Sequence, residues 1–143
     1  MSTLNVEIKP LPSGADTEAR KVASWLLSKD ANFQVVEDVD ICKNTKELAT
    51  MTSNLLELFA NEIQNRIPRK AKPLETRVTA IHFNRSTIVP LEQGWMMELI
   101  PIHVEGAVVV GDRPLDPDSY FHLTQHVKVS GDFFGLLLLS RLP

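Results

Sequence analysis

Two segments of this sequence are apolar where an antiparallel strand would normally alternate. Residues 95–104 read Trp-Met-Met-Glu-Leu-Ile-Pro-Ile-His-Val, and residues 136–139 are four leucines in a row. A sheet with one face in water shows apolar and polar residues in turn, so strands apolar on both sides need cover on both sides. Amphipathic helices can supply one layer. The other must come from the sheet curling into a barrel, from a second sheet, or from another protein chain. Pro101 adds a local demand, because it cannot donate to a ladder and so favours an edge or a bulge.

The first half of the chain supplies the helices. Ala19, Val22, Ala23 and Leu26 recur at helical spacing behind Asp16 or Thr17 as N-cap, which predicts a helix over 16–29. Leu48, Met51, Leu55, Leu58, Phe59, Glu62 and Ile63 form a second stripe, capped by Asn44 or Thr45 and stopped by Pro68. Residues 4–9 and 33–41 alternate and read as strands. From Arg77 onward the period changes to two, with strands expected at 77–83, 86–91, 95–104, 107–111, 119–129 and 133–142. The last two are expected to pair as a hairpin turning at Ser130-Gly131-Asp132.

These readings make one α+β domain over residues 1–143: an N-terminal arm (1–15), a helical half (16–66), a basic connector (67–76) and an antiparallel sheet (77–143). Two N-terminal amphipathic helices are expected to pack on a curled, mainly antiparallel sheet, or partly open barrel, formed by the C-terminal half. With 143 residues and 43% apolar content, the chain can fold without a staple. Cys42 is the single cysteine, which excludes an intramolecular disulfide and a cysteine-based zinc site. The N-terminal residues lack the layout of a secretory signal, so the expected location is cytoplasmic.

The chemistry is sparse. No phosphate-binding glycine loop, dinucleotide fingerprint, zinc-protease motif, nucleophile elbow or EF-hand occurs. Net charge is −3, and the basic connector (Arg66, Arg69, Lys70, Lys72, Arg77) has no aromatic residues among its cations to stack bases, so nucleic acid is not an expected partner. No cofactor, metal or membrane is expected. Three aspartates within residues 111–119 lack the calcium-loop rhythm and read as a stiff, proline-bounded turn. His122 and His126, four residues apart on one strand, stand about 13 Å apart and cannot share a metal ion. His122 reads as a surface-strand histidine and His103 as a core histidine.

Two functional classes follow. The leading expectation is a non-catalytic interaction or assembly protein, structural in role, that works through its sheet as a homo-oligomer or a subunit with another protein. Its interface candidates are Trp95, Met97, Leu99, Leu137 and Leu139. The alternative is a small-molecule binder or small enzyme with a pocket between helices and curved sheet. Glu37 and Glu98, carboxyls among apolar neighbours, would line it with His82 and His103, and burial would suit either carboxyl to acid–base work.

Overall fold

A computed structural model describes residues 6–37 and 39–143, so the first five residues of the expected arm, including the start of the strand read at 4–9, lie outside the described residues. The observed order is β1 (Val6–Pro10), α1 (Ala15–Leu26), β2 (Phe33–Val36), β3 (Val39–Cys42), α2 (Thr45–Met51), α3 (Ser53–Asn65), a 3₁₀ turn at Pro68–Lys70, β4 (Glu75–Phe83), β5 (Thr87–Val89), β6 (Trp95–Val110), β7 (Arg113–Pro114), β8 (Ser119–Leu123) and β9 (Val127–Arg141). All nine strands join one antiparallel sheet. Its order is β1-β8-β6-β9-β4-β3-β2, with β5 beside β9 and β7 beside β6. The sheet is open, since its outer strands β1 and β2 do not meet.

The mixed α+β character and the large antiparallel sheet stand, but several details differ from the sequence reading. The sheet is not confined to the C-terminal half, because β1, β2 and β3 come from the first 42 residues. The segment read as one strand over 33–41 is a tight hairpin, with Glu37 at φ 55° in its turn. The second helical stripe is split at Thr52. That buried side chain donates its hydroxyl to the Leu48 carbonyl at 2.7 Å, a back-bond that bends a helix.

The expected hairpin at Ser130-Gly131-Asp132 is absent. The chain turns earlier, at residues 124–126, and β9 continues through 130–132, pairing with β6 and β4. Gly131 acts as a close-approach residue at φ 121°. A Cβ there would lie 2.7 Å from the Ala107 carbonyl oxygen. Likewise, the two strands read at 95–104 and 107–111 are one long strand, β6, interrupted by register shifts between Pro101 and His103 and between Glu105 and Val109. Pro101 thus sits at a bulge.

Those irregularities let the long strands bend, and the bend provides the cover. One core forms between the sheet and the helices, from Val22, Leu26, Leu55, Phe59, Met96, Ile100, Tyr120 and Leu136 among others. A second core fills the concave face. There Phe83, Met97, Leu99, Phe121, Phe133 and Leu137 meet Val108, Val110 and Val129 from the far ends of β6 and β9.

The proposed interface residues are therefore spent inside the molecule. Met97, Leu99 and Leu137 are buried in this second core, with Trp95 and Leu139 half-buried at its rim. Leu137, 2% exposed, supplies a direct check. Leu137→Asp should abolish cooperative unfolding, through a loss of at least about 4 kcal/mol. Circular dichroism melting and light scattering on the same sample would report it; a folded variant that had merely changed oligomeric state would contradict this packing.

Candidate functional site

Strand alternation places β6 residues on opposite faces in turn. Met97 and Leu99 point into the concave core, so Glu98 between them faces the helices, as Met96 and Ile100 do. On β8 the same rule turns Tyr120 and His122 toward the helices, and on β1 it turns Glu7. Register then aligns them: Glu7 lies opposite His122, and His122 lies opposite Glu98. A row of three polar residues crosses three neighbouring strands beneath the helical layer.

Glu98 is fully buried, and His122 is 5% exposed. His122 Nδ1 lies 2.5 Å from Glu98 Oε2. With Glu98 as the accepting carboxylate and the ring neutral, Nδ1 carries the shared hydrogen and Nε2 keeps its lone pair. The other side of the row is held by Arg66, at the C-terminal end of α3. Its Nη1 donates to Glu7 Oε2 at 2.9 Å and its Nη2 to the Tyr120 hydroxyl at 3.4 Å. The Tyr120 ring meets Phe59 of α3 edge-on at 4.9 Å, which anchors the helix over this part of the sheet.

Charges here follow from those contacts. The hydrogen bond from Arg66 holds the Glu7 carboxyl below its usual range, against the smaller opposing effect of burial. Burial works to lower the Arg66 guanidinium, but Tyr120, Glu7 and the nearby Glu98 outweigh it and push Arg66 upward. Burial raises the Tyr120 phenol. A fixed cation and a protonated phenol therefore stand beside the imidazole.

Three buried polar atoms in this layer have no hydrogen-bond partner: Glu98 Oε1, Arg66 Nε and Ser140 Oγ. Ser140 lies on β9 opposite Met96, on the same helix-facing side. Buried polar atoms are nearly always satisfied, so three orphans on one side of a sheet ask for an explanation.

Of the pocket residues expected from sequence, only Glu98 belongs to this row. His82 and His103 come together elsewhere, flanking Phe134: His82 stacks on its ring at 4.2 Å, and His103 meets it at 6.3 Å. His82 Nε2 also contacts Asp132 Oδ1 at 2.8 Å. Four residues of β9 separate Phe134 from Leu138, the partner of Glu98, a distance of about 13 Å. Glu37 lies exposed in the β2–β3 turn. In the aspartate loop, Asp116 accepts from the Asp118 amide and the Ser119 hydroxyl, as turn aspartates do.

Sequence reading missed His122, Tyr120 and Arg66 as site members. It read His122 as a surface-strand histidine, but β8 ends at Leu123 and is buried along its whole length. Arg66 was read as solvated connector; its pairing with Glu7 spans 59 residues and leaves no local trace.

Neither a protein-family model nor a curated protein matches this chain. Solved structures do. A prolyl-4-hydroxylase from Pseudomonas putida superposes with a TM-score of 0.59 at 9% identity, over 99% of this chain and 94% of that one. More distant are quercetin 2,3-dioxygenase from Acinetobacter baumannii (TM-score 0.47, 10% identity, 79% of this chain and 34% of that one) and KdgF from Halomonas sp. (0.46, 16%, 82% and 94%). The class defined is a jelly-roll-like α+β fold. The two-sided strands on which the expectation of a non-catalytic, structural assembly protein rested are covered within the chain, and that expectation is corrected. No helix among the described residues is long and apolar enough to cross a membrane.

The Arg66–Glu7 link has a pH signature. A carboxyl whose folded pKa is lowered adds stability above its unfolded pKa and loses it as pH falls through the folded value. In Arg66→Met the Glu7 carboxyl should titrate at higher pH, nearer its usual range, followed by its side-chain ¹³C shift. An unchanged midpoint would contradict the link.

Proposed function

We propose that this chain is a small enzyme of the general-base type, working on a small polar molecule at the Glu98–His122 pair. One observation carries the reading: a fully buried glutamate bonded at 2.5 Å to the Nδ1 of a histidine whose other nitrogen is free to take a proton. Such a pair is poorly explained by stability. Replacing a buried polar pair by apolar residues of similar volume is often neutral or favourable, whereas breaking it costs about 3–5 kcal/mol. The orphan atoms Glu98 Oε1 and Arg66 Nε fit the same reading, as an acceptor and a donor that the fold itself does not use.

In this scheme His122 Nε2 takes a proton from the bound molecule or from a water attacking it. Glu98 keeps the ring oriented and stabilises the imidazolium that forms, without itself taking the proton. Arg66, held by Glu7 and Tyr120, supplies a fixed positive charge toward which negative charge can develop.

Hydroxylation, the activity in the name of the Pseudomonas putida neighbour, does not carry over on the residues present. Non-haem iron in oxygenases is held by two histidines and a carboxylate. Among the described residues no three histidine, cysteine, aspartate or glutamate side chains converge on one point, and the concave core is lined by apolar side chains. No step is therefore routed through a metal.

Diethylpyrocarbonate modification of the folded protein, read peptide by peptide by mass spectrometry, tests the assignment. His122 should react at Nε2, and Glu98→Gln should slow it by about tenfold or more. Small-molecule hits from a thermal-shift screen should be lost in His122→Gln. An inert His122, together with ligand binding unchanged in the folded double variant Glu98→Leu/His122→Leu, would overturn the reading.

A further inference from the structure

The opposite face of the sheet holds an opening at the end where β4 and β6 begin and β9 finishes. A cavity of about 220 Å³ lies there, above the concave core, walled by Leu91, Trp95 and Leu139 and carrying Arg77, His126 and Glu92. We propose that it binds a small monocarboxylate with a flat apolar body, a site separate from the Glu98–His122 pair.

The polar groups select the ligand's charge. The Arg77 guanidinium sits 5.0 Å over the Trp95 ring, and Glu75 Oε2 accepts from its Nε at 2.5 Å. Both contacts fix the side chain, yet the second uses only Nε and leaves the two Nη groups for another acceptor. Planar pairing with a carboxylate is what that fork is shaped for. His126 is oriented as well. The Leu91 amide donates to its Nδ1 at 2.8 Å, so the neutral ring presents Nε2–H as a second donor. Glu92, exposed on the loop at the rim, opposes a second negative charge on the guest. Glu75 already pairs with Arg77 and Glu92 stands at the rim, so a single carboxylate is held through the Nη fork and the His126 donor, and a dianion is disfavoured.

The walls select the body. Trp95 offers an aromatic face, and Leu91 and Leu139 complete an apolar wall at the edge of the second core. Mouths of curled sheets are common places for such sites, with a mostly apolar lining and a few converging polar groups. Trp95 and Leu139 were expected at a protein interface; their half-buried state is accounted for equally by a small guest.

The test uses phenylacetate, with benzyl alcohol and inorganic phosphate as controls. Only two tryptophans are present, so in a Trp25→Phe background the fluorescence reports Trp95 alone. Phenylacetate should give a saturable change with Kd below about 1 mM, and both controls should bind at least about tenfold more weakly. Arg77→Met, which keeps the apolar stem of a side chain 62% exposed, should weaken phenylacetate by at least about tenfold while leaving the melting temperature close to wild type. Equal binding of benzyl alcohol, undiminished binding in Arg77→Met, or no saturation below about 10 mM would each overturn the proposal. Glu98→Gln should leave phenylacetate binding unchanged; a parallel loss would show that the two sites are not separate, and would overturn it too.

Discussion

The structure depends on how two long apolar strands are covered. β6 and β9 lie side by side at the centre of the sheet, and over residues 96–101 and 135–138 neither has a face in water. Helices α1 to α3 cover one side. The other is covered because both strands run past the helical layer, bend at paired irregularities and bring their far halves over the concave face. Pro101 and Gly131 are instruments of that bend: one cannot donate to the ladder, and the other adopts a backbone conformation that side chains disfavour, with no room for a Cβ. Cover for the apolar residues of these strands is thus supplied from within the chain.

Most of this was legible as a demand and little of it as a solution. The sequence pattern of residues 95–104 and 136–139 stated that two faces needed burial, and Pro101 marked the place of a bulge. The route of the chain was not legible, because Ser130-Gly131-Asp132 carries the same residues whether it turns a hairpin or continues a strand opposite the bulge of β6. Local turn chemistry favoured the hairpin. Pairing of β9 with both β4 and β6, over contacts distant in sequence, favoured continuity and prevailed. Thr52 is a similar case: helical periodicity continues through it, and only its burial against the Leu48 carbonyl breaks the helix.

The candidate site was half legible for a related reason. Glu98 stood out because a carboxyl among Met97, Leu99 and Ile100 is costly unless paired. Its partner did not, because the pairing of Glu98 with His122 is set by the register of β6 against β8, which no local pattern specifies. Once strand order is known, the row Glu7–His122–Glu98 follows from alternation alone. Arg66 needed the further fact that α3 ends above that row.

Strand β6 therefore sets two chemistries with one alternation. Glu98 turns toward the helices, into a layer where a buried pair, a fixed guanidinium and three unsatisfied atoms stand together. Trp95 turns to the concave side, where it meets Arg77 at an open cavity. The hydrogen-bonded ladder of the sheet lies between them, so substitutions on one face can be made without touching side chains on the other. A one-residue slip of β6 would exchange the faces, placing Glu98 in the apolar concave core and Met97 against His122. The β6 bulges at Pro101 and opposite Gly131 oppose such a slip, since each fits a single register. The same irregularities that close the core thus also hold both sites in place.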